Sequence, residues 1–295
     1  MDYLEERLPQ NSAPEAGLSG SQSVDRALGL LSLIGREPAD GMPLGEIVSG
    51  SGLNKPTTRR LLLALMRAGL VEQEPQTRRY CLGEEAFVLG VLAARRHGLL
   101  ELAMDGLRRL SAETQDTSFL TVRRENYAIC LHREEGTYPV RTHALQAGDQ
   151  HPLGVGAGSL AMLAALSDDD VDRVIAANEA ALLARYPGFA PDALRVDITA
   201  TRERGFSLNP GRLVASSWGI GRAFHYPDGR VAGALSIAAI DSRMTPGRQA
   251  ELAVPLAREA ERMETLLAEM FVSKQAGRPM AAVAPRSIET GRAAK

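Results

Sequence analysis

The 295-residue sequence predicts a protein of mixed α/β (α+β) class, with a small helical domain followed by a larger domain of strands and helices. Three observations support this prediction. Apolar residues recur every three or four positions in the first third of the chain, as in amphipathic helices. Strand-like runs such as TSFLTVRR and YAICLHREE follow. Two further runs flank Pro227-Asp228-Gly229, which is a good hairpin turn.

The composition is that of an ordinary globular protein, with 44% hydrophobic residues, 24% charged residues and a net charge of -2. Cys81 and Cys130 lie far apart without a Cys-x-x-Cys motif, which argues against a disulfide framework or a structural zinc site. The N-terminus lacks an apolar signal segment, and no run of 18 uncharged apolar residues occurs. We therefore expect a cytoplasmic protein without a membrane span.

Residues 21–82 are predicted to form a winged helix-turn-helix. A first helix follows an N-cap at Ser23, and a short second helix spans about 43–49. Asn54 caps a third helix in LNKPTTRRLLLALMRAGL. The buried stripe of this third helix is formed by Thr58, Leu61, Leu62 and Leu65. Two short strands around the turn at 74–77 form the wing.

Positive charge is concentrated on the third helix and the wing. Between residues 55 and 79 the chain carries six Lys or Arg against two Glu. The N-terminal end of a helix is already positive and prefers acids, so basic residues there favour an external anion such as DNA phosphate. The candidate DNA contacts are Lys55, Thr57, Thr58, Arg59, Arg60, Arg78 and Arg79. The alternative is a solvated basic face on an amphipathic helix.

A linker helix is predicted at 83–98, with a break at His97-Gly98, and a mixed α/β domain at 99–272. The predicted strands of this domain are 117–124, 127–135, 138–145, 205–209, 217–226 and 229–240. Its later helices are predicted at about 168–179, 191–204 and 246–270. The segments 1–20 and 273–295 mix Pro, Gly, Ser and charges without periodicity, so we predict disordered tails there.

A glycine-rich turn, GVGAGSL at 154–160, opens a predicted helix. Ser159 stands where a dinucleotide fingerprint needs a third glycine, and the Gly-Lys-Ser/Thr of a phosphate loop is absent. Backbone N–H groups at a helix start can still hold a carboxylate. The candidate anion cradle is Gly156, Ala157, Gly158 and Ser159. The alternative is that these small residues allow the helix to pack closely on the sheet.

The stretches SVDRALGLLSLI, GLNKPTTRRLLLALMRAGLVEQ and YCLG together resemble the winged helix of the IclR-type bacterial transcriptional regulators. LHREEG, HPLGVGAGSLAMLAAL, RGFSLN and DGRVAGALSIAAI resemble the effector-binding domain of the same family. The match covers about residues 21–270. The resemblance implies a homodimer or dimer of dimers that binds operator DNA through its winged helices. It also implies a GAF-like domain that senses a small molecule, commonly an organic acid.

The resemblance places further effector contacts on Asn209, Ser217, Trp218, Gly219 and Ser236. Asn209 stands where many relatives carry an acid, and Gly219 where many carry cysteine, so the ligand of those relatives does not carry over. Pro56 and Arg59 likewise stand where the family more often has serine and histidine, which suggests a different operator. Trp218, the only tryptophan, either walls the pocket and suits an aromatic acid or belongs to the core.

Two histidines and an arginine near the cradle are weaker candidates. Arg141 and His143 are placed at the pocket mouth, and we expect His143 and His151 to be surface or hydrogen-bonded residues.

Two other classes of function are weighed against a regulator. A glycine-rich loop beside histidines invites a hydrolase interpretation, but no Gly-x-Ser-x-Gly elbow surrounds Ser159, Ser217 or Ser236. A ligand sensor that does not bind DNA would leave the basic helix without a role. We therefore predict a regulator with no catalytic residue, cofactor or metal. The effector, the operator, the sign of regulation and the choice between dimer and tetramer do not follow from the sequence.

Overall fold

The structure, a computed structural model, describes residues 21–35, 41–141 and 144–275, without the side chains of 94–97 and 273–275. The predicted N-terminal tail and most of the predicted C-terminal tail lie outside these ranges. Within the described ranges, no helix combines the length and apolar character needed to cross a bilayer.

The first domain is a three-helix unit followed by a hairpin. Its elements are α1 (Gln22–Ile34), α2 (Leu44–Ser51), α3 (Lys55–Arg67), β1 (Val71–Gln73) and β2 (Tyr80–Leu82). Leu30, Ile47 and Leu62 are buried together between the helices. Gly52 ends α2 in the left-handed conformation, with φ of 66°, and turns the chain into α3. β1 and β2 pair as an antiparallel ribbon, so the predicted winged helix-turn-helix is confirmed.

Two boundaries in this domain differ from the prediction. α1 begins one residue before Ser23, and Ser21 occupies the N-cap position, where its carbonyl oxygen accepts the Asp25 N–H at 2.9 Å. Ser23 is therefore inside the helix. α2 continues through Gly50 to Ser51, whose hydroxyl donates to the Val48 carbonyl at 3.2 Å. The helix ends only where Gly52 takes up a positive φ.

Two helices connect the domains. They are α4 (Glu84–His97) and α5 (Leu99–Thr114), and Gly98 separates them at the predicted break. α5 buries Leu107 and Leu110 in the core of the second domain. On α4 the large apolar side chains of Phe87, Val88, Leu89, Val91 and Leu92 are exposed.

The second domain is built on a six-stranded antiparallel sheet. Its strands are β3 (Thr117–Arg124), β4 (Tyr127–Glu134), β5 (Gln150–Pro152), β6 (Ser207–Pro210), β7 (Ser217–His225) and β8 (Val231–Ile240), in the order β5-β4-β3-β8-β7-β6. Its helices are α6 (Ala157–Ala164), α7 (Asp168–Arg185), α8 (Pro191–Arg204) and α9 (Pro246–Gln275). The central pair β3–β8 joins the two halves of the domain.

The two faces of the sheet are covered by different helices. α5 and α9 cover one face, where Leu120, Leu256 and Leu267 are buried. α6, α7 and α8 form a second core on the other side. Because side chains alternate along a strand, Phe119 and Thr121 on β3 face away from the α5–α9 core that holds Leu120.

The strand predicted at 138–145 is wrong over its described residues, which form no ladder. Pro139 has no N–H to donate, and Val140 is 55% exposed, so this stretch lacks a buried face. The short strand β5 pairs with β4 instead.

Two helices also extend further than predicted. α7 reaches Arg185 because Leu182 is still buried, and α9 reaches Gln275, inside the segment predicted as a tail.

Candidate DNA interface and effector site

The first turn of α3 is fixed by its own cap. The Asn54 Oδ1 atom accepts the Thr57 N–H at 2.9 Å, as the sequence predicts. Thr58 is fully buried, and its hydroxyl donates to the Asn54 carbonyl oxygen at 3.1 Å. The prediction that Thr58 contacts DNA is therefore wrong, because its side chain supports the turn from inside the domain.

Three cations lie at the exposed start of α3. Lys55, Arg59 and Arg60 are solvent-exposed, and Thr57 is half-buried beside them. The first turn contains no acidic residue. Among the described residues, none forms a salt bridge with these three side chains. The helix dipole and the cations therefore contribute positive potential of the same sign on this surface.

The two arginines of the wing have different surroundings. Arg78 is exposed at the tip with φ of 60°, and its N–H donates to the Glu74 carbonyl at 2.9 Å. Arg79 is half-buried, and its Nε donates to the Gly41 carbonyl at 2.9 Å. Arg79 therefore helps to hold the wing against the chain that leads into α2, whereas Arg78 lies on the surface.

A cleft of about 520 Å³, counting its open mouth, lies between the sheet and the start of α6. All nine residues predicted as effector contacts line it: Gly156, Ala157, Gly158, Ser159, Asn209, Ser217, Trp218, Gly219 and Ser236. The fold brings them together from four separate segments of the chain. A concave site lined by apolar groups with a few polar ones is the usual form of a small-molecule site.

The start of α6 presents backbone donors to the cleft. Gly156 precedes the helix with φ of 85°, a conformation that favours glycine. The N–H groups of the first turn, at 157–159, have no partner within the helix, and the positive end of the dipole lies here. The Ser159 hydroxyl accepts the Gly154 N–H at 2.8 Å, so this side chain stabilises the turn. The group of Ser159 that remains available to a ligand in the cleft is its backbone N–H.

The same small residues also let α6 lie directly on the sheet. A Cβ atom added at Gly221 would lie 2.7 Å from the carbonyl carbon of Ala157. One added at Gly158 would lie 3.1 Å from the Thr121 Oγ1 and 3.2 Å from the Ser236 Oγ. The packing explanation of these glycines is therefore compatible with the anion cradle, because close packing places strand hydroxyls beside the helix start.

Polar lining residues that sequence reasoning did not assign to the cleft include Thr121, Asp149 and His151. Thr121 is 3% exposed, and its Oγ1 has no hydrogen-bond partner in the described structure. The expectation that His151 is a surface or hydrogen-bonded residue is confirmed for one ring nitrogen. Its Nδ1 lies 3.1 Å from the Tyr186 hydroxyl, but its Nε2 is buried in the cleft wall and has no partner among the described residues. The available signal was the position of His151 directly before the glycine-rich turn.

The cleft is lined almost entirely by uncharged groups. Burial lowers the pKa of His151 and so favours its neutral imidazole. Burial also raises the pKa of the Cys130 thiol to about 12, so that it stays protonated. Asp149 lines the cleft together with His151 and Cys130. No lysine or arginine is found among the described lining residues. Among the described lining groups, positive potential is expected from the backbone dipoles at the start of α6.

The remaining candidates are placed as follows. Trp218 is half-buried, and it both lines the cleft and packs on the core beside α9. Trp218 therefore lies between cleft and core, and its contact with an effector stays a prediction. Arg141 is exposed, pairs with Glu135 at 2.9 Å and does not line the cleft, so its placement at the pocket mouth is wrong. His143 lies outside the described residues.

A winged helix with a basic α3 start, joined to a domain with a cleft between its sheet and a helix start, is the architecture of a ligand-responsive DNA-binding regulator. The comparisons identify the family. Residues 23–75 match the IclR helix-turn-helix domain, and residues 91–265 match the bacterial transcriptional regulator IclR C-terminal domain. The chain belongs to the IclR family of bacterial transcriptional regulators.

Relatives and solved structures agree with this assignment. The HTH-type transcriptional regulator KipR of Bacillus subtilis is 26% identical over 77% of this chain and 90% of its own length. The acetate operon repressor of Salmonella typhimurium is 26% identical over 85% of this chain and 92% of its own length. An IclR transcriptional regulator from Silicibacter sp. TM1040 superposes with a TM-score of 0.72 at 26% identity, covering 83% of this chain and 96% of that structure.

Proposed function

We propose that the chain binds operator DNA through residues 21–82 and senses a small organic acid in residues 99–272. The helix at 83–98 links the two activities. The observation that carries this proposal is the pairing of an uncompensated basic helix start with a backbone anion cradle in one chain. We propose that it acts in the cytoplasm, where the DNA is.

The proposed DNA contacts follow from exposure. Lys55, Thr57, Arg59 and Arg60 lie at the N-terminal end of α3, which in winged helices enters the major groove. Arginine can pair bidentately with guanine, and lysine and threonine suit phosphate or base contacts. Arg78 at the wing tip is proposed to lie along the DNA backbone or in the minor groove. Arg79 has a smaller share in contact because it binds the Gly41 carbonyl.

The proposed effector is an organic acid whose carboxylate lies against the first turn of α6. Support comes from the N–H groups at 157–159, the positive helix end and the neighbouring hydroxyls of Thr121 and Ser236. The indole of Trp218 and the apolar lining suit a flat or aromatic body. Asn209, Ser217 and Gly219 form the remaining wall.

The proposed switch is a change in the spacing of two winged helices on a palindromic site. It requires a homodimer or dimer of dimers and an acid that binds one arrangement of the linker helices more tightly than the other. Moving such an equilibrium from 1:99 to 99:1 takes about 5.5 kcal/mol of difference in binding free energy, and modest switching takes far less.

The first prediction tests DNA binding by fluorescence anisotropy on the DNA upstream of the gene, at two salt concentrations. The double variant Arg59→Ala/Arg60→Ala should lose at least tenfold in affinity and show a shallower salt dependence, because two phosphate or base contacts are removed. The matched control is Arg67→Ala, an exposed arginine in the last turn of α3. Equal binding by the double variant and the wild type would contradict the proposed contact surface.

A further inference from the structure

The cleft has a second polar group, His151, on the edge strand of the sheet. His151 lies on β5, at the edge of the sheet, and pairs in register with Ala128 on β4. Thr121 lies on β3 and pairs with Cys130 on β4. Neighbouring strands are about 4.8 Å apart, so the backbones of His151 and Thr121 are separated by on the order of 10 Å. The Thr121 Oγ1 lies beside Gly158 in the first turn of α6, whereas His151 lies on the outermost strand of the sheet.

The imidazole of His151 is held in one orientation. Its Nδ1 lies 3.1 Å from the Tyr186 hydroxyl, and the two rings meet edge to face at a centroid distance of 5.8 Å. This contact accounts for one ring nitrogen only. The Nε2 atom is buried and has no partner in the described part of the chain. A buried polar atom without a partner is costly in a folded protein, which indicates that something else satisfies it.

We propose that the Nε2 of His151 hydrogen-bonds an uncharged hydroxyl or carbonyl group of the effector, at the end opposite its carboxylate. The inference rests on the proposed function, since the carboxylate is taken to lie at α6. The effector is then a monocarboxylic acid whose apolar body carries a second, neutral polar group. His151 selects this acid over the parent acid that lacks the group.

The charges around His151 exclude a second carboxylate. Asp149 lines the cleft two residues before His151, and no lysine or arginine is found among the described lining residues. Burial lowers the pKa of His151 and so keeps the imidazole uncharged. A dicarboxylate would place its second charge beside Asp149 without a cation to balance it, which is unfavourable in a poorly solvated site.

The test is a titration of the full-length protein followed by the emission of Trp218, the single tryptophan of the chain, which lines the cleft. The probes are benzoate, 4-hydroxybenzoate and terephthalate, and phenylacetate with 4-hydroxyphenylacetate. The proteins are the wild type, His151→Ala and His151→Gln. His132→Ala is the matched control, because His132 pairs with Glu134 and does not line the cleft. Thermal melting verifies that each variant folds.

The wild type should bind the hydroxylated acid of at least one pair about tenfold more tightly than its parent, and terephthalate more weakly than both. In His151→Ala this preference should vanish while the affinity for the parent acid is kept. His151→Gln, which retains a hydrogen-bonding end, should recover part of it. His132→Ala should behave as the wild type.

Three outcomes overturn the inference. Parent acids that bind without any hydroxyl preference, or a preference that survives in His151→Ala, would reject the role of His151 and leave the acid site intact. Tighter binding of terephthalate would reject the proposed ligand class. If neither parent nor hydroxylated acids change the Trp218 emission at millimolar concentration, the proposed acid site fails, and this inference fails with it.

Discussion

Thr121 combines a buried hydroxyl that is unfavourable for folding with a position in the wall of the proposed effector cleft. Its hydroxyl is buried on β3, has no partner in the described structure and lies beside Gly158 at the start of α6. A valine would have nearly the same shape without the polar atom. An unsatisfied buried hydroxyl lowers stability, so its presence in a cleft wall is consistent with a ligand that satisfies it.

Replacing Thr121 by valine should separate these two effects. We expect the free energy of unfolding to stay equal or rise by about 1 kcal/mol, because a buried hydroxyl without a partner is removed. The affinity for the acid effector should fall about fivefold to tenfold, since one hydrogen bond is lost. Urea unfolding and Trp218 titration measure the two quantities.

Thr201→Val is the matched control for this prediction. The Thr201 Oγ1 is also buried without a partner in the described part, but this residue lies on α8 outside the effector cleft. It should show a similar change in stability and unchanged acid affinity. If Thr121→Val loses stability and keeps its affinity for the acid, the hydroxyl has a structural role and does not bind the effector.

Among the elements, α4 exposes more apolar surface than a linker in water normally does. Phe87 is 71% exposed and Leu92 is 56% exposed, and Val88, Leu89 and Val91 between them are exposed as well. Contiguous apolar surface of this kind is typical of an interaction site. A second copy of the chain is the proposed partner, since the switch requires two winged helices held at a defined spacing.

The double substitution Phe87→Glu/Leu92→Glu should disrupt this association. Two charges would have to be buried without partners in the dimer but would be solvated in the monomer. We expect a shift from dimer or tetramer to monomer in light scattering, with unchanged helix content. The affinity for a palindromic operator should fall by more than the affinity for a half-site.

The control for α4 is Val196→Glu, at an isolated exposed valine of α8 that is 69% exposed in the chain. This variant should keep the oligomeric state of the wild type. If Phe87→Glu/Leu92→Glu keeps it too, α4 is not part of the interface.

For the whole molecule, one buried carboxylate ties the first helix of the effector domain to the last. Arg109 on α5 donates to both oxygens of Glu259 on α9, at 3.1 and 2.7 Å. Arg258 and Arg262 lie within 3.5 and 3.9 Å of the same carboxylate. This cluster therefore fixes α5, the helix that follows the linker, to α9.

The cluster should stabilise the fold in a pH-dependent way. Burial opposes ionisation of Glu259, but the Arg109 hydrogen bond and the three guanidinium charges outweigh it and hold its pKa below the usual 4.5. A depressed carboxyl pKa contributes stability above the unfolded value, and this contribution is lost as pH falls through the folded value. The cluster is therefore fully effective at neutral pH and weakens below about pH 4.

Arg109→Met should lower the free energy of unfolding by about 2 kcal/mol at neutral pH, a figure reduced from that of a fully buried pair because Arg109 is partly exposed. The difference in free energy of unfolding between variant and wild type should shrink below about pH 4. Urea unfolding at neutral pH and in this acid range measures it. Arg108→Met, at an exposed neighbour, should change stability by under about 0.5 kcal/mol. A pH-independent difference would contradict the electrostatic account.

Much of the architecture could be predicted because it depends on local pattern. The spacing of Leu61, Leu62 and Leu65 and the cap at Asn54 define α3 within a few residues, and the structure agrees. Helix starts were less accurate, as at Ser23, because neighbouring serines can serve equally as a cap. Thr58 was assigned to DNA by its place in a basic turn, although its spacing puts it on the buried stripe.

The sequence by itself determined the two domains, the basic start of α3 and the glycine-rich start of α6, since each depends on residues close together in the chain. Only the tertiary structure decided which polar groups share the cleft. Thr121 and Ser236 meet at Gly158 through the pairing of β3 with β8, and β5 adds His151 to the lining of the same cleft. Such contacts depend on strand order, which local periodicity does not specify, and so these side chains became visible as a site only in the folded sheet.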